Sequence, residues 1–367
     1  MQIPFVDLKA QYQDIKIDID NAINDVISKT AFIGGEYVKE FERKFGNLYG
    51  VKHVISCGNG TDSLYIIMKM LGIGHGDEVI TAANSWISSS ETISQTGAKP
   101  VFTDPDEAYL SMSAEAVAKA ITSATKAVIV VHLHGQMCDM DGIQQVCAAK
   151  GIHVIEDCAQ SHFSEYNGRR AGTMGIAGSF SFYPGKNLGA YGDAGCIITN
   201  DDALAEKCRM YANHGALKKH HHQIEGINSR MDGLQAAILS AKLPHILKWT
   251  KQRIANAALY NKYLNNIDEI ILPVVRPGSS HTFHLYMIRA QRRDELQTHL
   301  KQHGIETAVH YPAALPNLPA YKYLGLSGAD FPFATQLQSE ILSLPMYPEL
   351  TDDSIQYIAG CIRSFYR

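Results

Sequence analysis

The 367-residue sequence has no Cys-x-x-Cys pair, and its seven cysteines (57, 138, 147, 158, 196, 208 and 361) are scattered and odd in number. That spacing favours reduced thiols in a cytosol over a disulfide framework. No apolar run reaches membrane-spanning length. The first residues, Met1-Gln2-Ile3-Pro4-Phe5-Val6-Asp7, lack the basic flank and long apolar stretch of a signal peptide, so the expected location is cytoplasmic. Neither sign of charge dominates. Thirty-three Lys and Arg face 37 Asp and Glu, and a net charge of -4 gives no reason to expect nucleic acid or an anionic membrane as a partner. Internal repeats and low-complexity tracts are missing, as are the glycine spacings of a P-loop and of a GxGxxG dinucleotide turn. What remains is 46% apolar and 19% charged, the composition of a folded chain long enough for a large and a small domain.

The pattern along the chain alternates strands and helices. His53–Ser56 reads as a strand, Cys57–Gly60 as a turn and Thr61–Leu71 as a helix with an apolar stripe of Leu64, Ile67, Met68 and Leu71. Glu78–Thr81 and Pro100–Thr103 read as strands flanking a helix near Ser88–Thr96. Lys126–Leu133 is a nearly continuous apolar run, as expected of a strand covered on both faces. A helix near Ile143–Lys150, then strands at His153–Glu156, Gly178–Phe182 and Gly195–Thr199, complete a mainly parallel α/β sheet. Ser229–Tyr263 reads as one long helical segment leading out of the large domain. His284–Ala290, a helix around Arg293–His303 and Glu306–Val309 give a β-α-β pattern for a smaller domain. The expected division is 1–245 and 246–367, with the segment through residue 20 free to pack on the small domain.

Three local patterns carry chemistry. Gly58-Asn59-Gly60-Thr61-Asp62-Ser63 joins a strand to a helix, whose N-terminus offers free N–H groups to an anion while glycine permits close approach. Alone this is a weak signal, since Thr61 or Asp62 serves equally as an N-cap. Gly72-Ile73-Gly74-His75-Gly76-Asp77 follows a helix and precedes a strand, which is the order of a structural C-cap. The second pattern is Glu156-Asp157-Cys158-Ala159-Gln160. The third is Ser179-Phe180-Ser181-Phe182-Tyr183-Pro184-Gly185-Lys186-Asn187-Leu188-Gly189. An isolated Asp at a strand end is usually a cap, and a lone loop Lys is usually solvated. Together, at neighbouring strand ends of an α/β sheet, Lys186 suits a Schiff base to pyridoxal phosphate, with Asp157 facing the pyridine nitrogen. Three consecutive histidines, His220-His221-His222, make poor chelate geometry in a loop, and no metal is expected.

With these motifs in order, the chain resembles the sugar aminotransferases of the DegT/DnrJ/EryC1/StrS family. The similarity runs from Ile3-Pro4-Phe5-Val6-Asp7-Leu8 through Gly60-Thr61-Asp62-Ser63-Leu64 and Gly76-Asp77-Glu78-Val79-Ile80 to Gly226-Ile227-Asn228-Ser229-Arg230-Met231-Asp232 and His310-Tyr311-Pro312. The resemblance implies the aspartate-aminotransferase-like fold type I: a mainly parallel seven-stranded sheet flanked by helices, plus a smaller α+β C-terminal domain. It implies that Lys186 holds pyridoxal 5'-phosphate and shuttles protons, that Asp157 pairs with the pyridinium and that Gln160 bonds the ring hydroxyl. Trp86 and Ala159 would cover the two ring faces, and Gly60, Thr61 and Ser181 would take the phosphate. Asn228 would reach the phosphate of a neighbouring subunit, which implies a homodimer with shared active sites. Cys158, Ser164 and Ala194 depart from the family pattern without removing a group the chemistry needs. Lys186 itself argues against the related dehydratases, which have histidine there.

The same resemblance bears on substrate. Members acting on C4-keto sugars tend to carry Lys-x-x-Thr-x-x-Glu-Gly-Gly, whereas this chain has Lys186-Asn187-Leu188-Gly189-Ala190-Tyr191-Gly192-Asp193-Ala194-Gly195, like the C3-keto branch. Tyr183-Pro184-Gly185 resembles members using dTDP-linked 3-keto-6-deoxyhexoses; those using UDP-linked 3-keto uronic acids more often have Phe-Pro-Ser. The nucleotide sugar would meet Tyr183, Lys219, His310 and Tyr311, groups suited to a pyrophosphate and a flat base. L-Glutamate is the implied amino donor, and a precursor of a surface glycan the implied product. A C4-keto or UDP-uronate aminotransferase is the alternative within the class. A non-catalytic regulator on the same fold is the alternative outside it.

Overall fold

The computed structural model describes residues 1–367. Seven strands form the main sheet: β1 (His53–Cys57), β2 (Glu78–Ala82), β3 (Lys99–Thr103), β4 (Thr125–Val131), β5 (His153–Asp157), β6 (Ala177–Ser181) and β7 (Gly195–Thr199). Their spatial order is β1-β7-β6-β5-β4-β2-β3. In β4 only Lys126 reaches solvent, because both faces are covered and a branched aliphatic run is what such a position demands. Strand β7 runs antiparallel to both β1 and β6, and the remaining pairings are parallel. It follows that β1, β2, β4, β5 and β6 all end at one edge of the sheet, and β7 begins there. Cys57, Ala82, Val131, Asp157 and Ser181 therefore deliver their loops to the same side, the edge at which open α/β sheets bind ligands.

Most expected elements form within a few residues of their predicted limits. The helix after β1 spans Gly60–Met70, one residue earlier at each end than read. Gly72 has φ 77°, and the Ile73 N–H closes back on the Met68 carbonyl, so this glycine cluster is a helix stop. Two expectations are corrected. The segment Ser229–Tyr263 is not one helix but two, Gly233–Lys242 and Ile246–Leu264, separated by a 3₁₀ turn at Leu243–His245. Pro244 lies in that turn and lacks the N–H that a continuous helix needs. The small-domain segment Glu306–Val309 is not a strand. The antiparallel small sheet is made of β8 (Ile270–Ile271), β9 (Tyr286–Ala290) and β10 (Ile341–Leu344). Every residue of β10 is buried, whereas 306–309 is partly exposed and makes only a single bridge, Ala308 to Ser343.

The apolar interior is dominated by two cores, with two smaller clusters around Phe102 and Phe333. One core packs the main sheet and includes Ile15, Ile19, Phe41, Phe45 and Trp249; the other gathers Ala257, Tyr260, Tyr286, Leu296, Leu342 and Ile358. Helix Ile246–Leu264 passes from the first to the second. The N-terminal segment serves both, since Ile3 bridges Ile305 and lies in the second core. Arg253 fastens helix Ile246–Leu264 to the second region, its guanidinium donating to the Phe283, His284 and Met346 carbonyls.

Candidate active site

The loops leaving β1, β2, β4, β5 and β6 surround a cavity of about 780 Å³. Its floor at β1 is a helix N-terminus. Asn59 is extended (φ -167°, ψ 175°), and its side chain accepts the Asp62 N–H at 2.8 Å, so Asn59 rather than Thr61 or Asp62 is the cap. The N–H groups of Gly60 and Thr61 are left without a protein acceptor at the positive end of the helix. Main chains crowd here. A Cβ on Gly60 would come 2.7 Å from Ser181 Cβ, and one on Gly195 would come 2.4 Å from the Asn59 carbonyl carbon. Asp62 accepts from Ser229 Oγ (2.6 Å), and Ser229 Oγ accepts the Gly58 N–H (3.0 Å), which pins the loop. Thr61 and Ser88 share a hydroxyl hydrogen bond of 2.7 Å.

Asp157, the last residue of β5, is buried. Its Oδ1 accepts the Ala159 N–H at 3.0 Å, while the other oxygen has no protein donor. Burial raises its pKa, opposed by the Ala159 N–H and by the charges of Lys186 and His132. Three residues on, Gln160 is oriented by its partners: Oε1 accepts the His134 N–H (2.7 Å) and Nε2 donates to the Tyr311 hydroxyl (2.9 Å). Tyr311 in turn packs against Trp86, with ring centres 5.4 Å apart.

Lys186 follows the turn Tyr183-Pro184-Gly185, closed by the Lys186 N–H on the Tyr183 carbonyl (2.8 Å). Burial pushes its amine down to about 8, with Asp157 pulling the other way. His310 stacks on Phe5 (5.6 Å) and shares Nδ1 with Ser343 Oγ at 3.0 Å. Burial, then the charge of Lys186, lowers it to about 4, so the ring is neutral at pH 7.

Lys186, Gly60, Thr61, Trp86, Asp157, Ala159, Gln160, Ser181, Tyr183, His310 and Tyr311 all line this one cavity. Asn228 and Lys219 do not. Asn228 forms an antiparallel bridge with Asn213, and Lys219 is exposed between the short strands Ala216–Lys218 and His221–His222. Sequence reasoning missed Phe5, Val6, Asp193 and His284 as cavity walls. Phe5, Val6 and Asp193 sat inside motifs already quoted, but His284 arrives by long-range packing and carries no local signal. The one group of metal-ligand atoms, His132, Glu156 and Cys158, is already satisfied internally. Glu156 accepts from His132 (3.0 Å) and from the Gly172, Met174 and Gly175 N–H groups at 2.8, 2.7 and 2.6 Å.

A protein-family profile for the DegT/DnrJ/EryC1/StrS aminotransferase family matches residues 13–363. The chain belongs to that family. It is a nucleotide-sugar aminotransferase family enzyme. Over 100% of its length it is 45% identical to a protein of Geobacillus stearothermophilus named "Pleiotropic regulatory protein", of which 99% is covered. It is 40% identical to the "dTDP-3-amino-3,6-dideoxy-alpha-D-galactopyranose transaminase" of Aneurinibacillus thermoaerophilus, with 99% of each chain aligned. Among solved structures, DesV of S. venezuelae in complex with a ketimine intermediate superposes with a TM-score of 0.97, at 38% identity, covering 100% of this chain and 99% of that one. The fold is thus the mainly parallel α/β fold of a sugar-aminotransferase relative. No helix is long and apolar enough to cross a membrane.

Proposed function

We propose that this chain is a pyridoxal-5'-phosphate-dependent transaminase. It moves an amino group from L-glutamate to C3 of a dTDP-linked 3-keto-6-deoxyhexose, giving a dTDP-3-amino-3,6-dideoxyhexose. The observation that carries the reading is a half-buried amine, Lys186, and a buried carboxylate, Asp157, just beyond and at neighbouring strand ends of one cavity. The residues present fit the cofactor. Asp157 has one oxygen free for a protonated ring nitrogen, the Gly60 and Thr61 N–H groups and Ser181 Oγ suit a phosphate, and Trp86 offers a flat face. When bound, the cofactor supplies an electron sink to the carbon that gains or loses the amine.

The protein groups do the rest. Asp157, held by the Ala159 N–H, keeps a proton on the ring nitrogen. Lys186, with its amine lowered to about 8, has a neutral fraction near pH 7 that can take a proton from the donor's α-carbon and return it in the second half-reaction. Gln160 keeps one N–H of its amide beyond the bond to Tyr311, and this suits the ring hydroxyl.

Three features support the finer assignment. Leu188-Gly189 and Gly192-Asp193 follow the C3-keto pattern, Tyr183-Pro184-Gly185 follows the dTDP pattern, and a relative at 40% identity is named for a dTDP-3-amino sugar. A cytoplasmic homodimer is part of the proposal. Lys219 and Asn228 lie away from their own cavity, and the exposed apolar side chains Phe32, Ile33, Leu217 and Ile224 offer a surface to a second copy. The relative named as a regulator is consistent with the same reading, because a purely regulatory chain has no use for Lys186, Asp157 and Gln160 as a set. The test supplies the cofactor-loaded protein with L-glutamate and either a dTDP-linked 3-keto-6-deoxyhexose or its 4-keto isomer, and assays 2-oxoglutarate and the position of the new amine by NMR. Amination at C3 alone supports the proposal. Amination only of the 4-keto isomer overturns the C3 assignment, and turnover of neither overturns the nucleotide or sugar class, leaving a UDP-linked 3-keto uronic acid as the next substrate.

A further inference from the structure

His284 was not read from the sequence, yet its ring forms part of the active-site wall. Its tautomer follows from its neighbours. Asn187, next to Lys186, is buried, and its Nδ2 donates to the Thr282 carbonyl at 3.4 Å. A carbonyl cannot donate, so the other end of that amide, Oδ1, is the atom turned to His284 Nδ1 at 3.2 Å. Oδ1 only accepts, so Nδ1 carries the proton. The remaining ring nitrogen, Nε2, is then a bare acceptor, and it has no protein partner. Burial, followed by the charges of Lys186 and Arg253, holds the imidazole far below its usual pKa, so it stays in this form across the neutral range. The backbone is fixed as well, since Arg253 donates to the His284 carbonyl.

An acceptor-only nitrogen in this wall discriminates by hydrogen-bond polarity. It takes an O–H or N–H and repels the lone pairs of a carboxylate, a phosphate or a ketone oxygen. We propose that His284 is a further substrate-binding residue, whose Nε2 accepts a hydrogen bond from a hydroxyl of the sugar. This rests on the nucleotide-sugar reading above. Asn187, through its amide, is the positioning residue that keeps Nε2 free of a proton.

Two replacements separate this role from a structural one. His284→Gln keeps an amide oxygen near the place of Nε2 but gives up the bond to Asn187. His284→Asn keeps an amide near the place of Nδ1 and leaves nothing at Nε2. The probe is dTDP-3-amino-3,6-dideoxyhexose, titrated calorimetrically into each protein loaded with pyridoxamine phosphate, which has no carbonyl to take the probe's amine, with circular dichroism to confirm the fold. Loss of one neutral hydrogen bond predicts about tenfold weaker binding by His284→Asn, and binding within about threefold of wild type by His284→Gln. Equal losses in both variants, or wild-type affinity in His284→Asn, overturn the inference and leave His284 as part of the scaffold. If the wild-type protein does not bind the probe, the dTDP-linked 3-amino-sugar assignment falls, and this inference falls with it.

Discussion

Replacing Lys242 with methionine tests how this fold holds a cation in its interior. The Lys242 ammonium is fully buried. It donates to Gln11 Oε1 (3.1 Å) and to the Gly189 carbonyl (2.8 Å), and lies 4.4 Å from the centre of the Tyr191 ring. No carboxylate touches it. Burial lowers its pKa from 10.5 to about 8, against the weaker pull of Glu349. At 1.36 kcal/mol per pH unit, the drop corresponds to roughly 3 kcal/mol of penalty for keeping the charge buried below pH 8. In the unfolded chain Lys242 holds its proton until about pH 10.5, and in the folded chain only until about 8. Between those values the unfolded state binds one more proton, so stability rises with pH across the window; below it both states are charged and the penalty is constant.

Methionine removes the charge at similar volume but strands the Gly189 carbonyl, a cost of about 1–3 kcal/mol that does not depend on pH. A change in unfolding midpoint therefore mixes two effects, whereas a proton count isolates one. The assay transfers wild type and Lys242→Met, each unbuffered at about pH 9, into concentrated urea and titrates the protons taken up. Wild type is expected to take up close to one proton more than the variant. Equal uptake would show that Lys242 stays charged in the folded protein and would refute the burial argument. The outcome matters for the site because Gly189, the residue Lys242 holds, belongs to the loop that begins at Lys186.

Gly60→Ala places a Cβ 2.7 Å from Ser181 Cβ, so the helix start must shift away from the cavity; overpacking of about 1–3 kcal/mol predicts a tenfold or greater loss of pyridoxal phosphate affinity by fluorescence titration, and unchanged affinity would remove Gly60 from the cradle. Lys186 reacts as the neutral amine, so the rate at which the apoprotein takes up the cofactor should rise about tenfold per pH unit below its pKa of about 8 and level off above it, and a rise continuing to about pH 10 would contradict the effect of burial. If buried Asp157 faces the ring nitrogen as proposed, Asp157→Asn removes that charge, and turnover should fall roughly 100-fold or more with the cofactor still bound, as followed by steady-state assay and absorbance; unchanged turnover would refute that role. If Lys219 and Asn228 serve the partner's cavity, then mixing inactive Lys186→Ala with inactive Lys219→Ala/Asn228→Ala restores about a quarter of wild-type activity, because half the dimers are mixed and each has one intact site. No recovery after subunit exchange would place both residues in their own protomer's site.

The parts of this molecule that were readable in advance share one property: their meaning is local. Strand β4 announced itself because a strand covered on both faces has to be apolar almost throughout. Gly60, Asp157 and Lys186 were readable because each sits within a few residues of a strand end, and a mostly parallel sheet sends those ends to one edge. The misread parts depend on partners far along the chain. Strand β10 follows directly on helix Pro332–Glu340 with no turn residue between them, so only its pairing with β9 reveals it. Glu306–Val309 looked like a strand, yet its first residue spends its side chain on the Phe5 N–H at 3.1 Å. His284 shows the same limit at the site itself. The proton on its Nδ1 is set by Asn187, 97 positions away, and the fixed end of that amide is set in turn by the Thr282 carbonyl. Placing Lys186 and Asp157 at one cavity needed only the topology rule of the sheet, whereas reading the wall around them required the side-chain hydrogen bonds, because a ring nitrogen becomes a donor or an acceptor only through its partner.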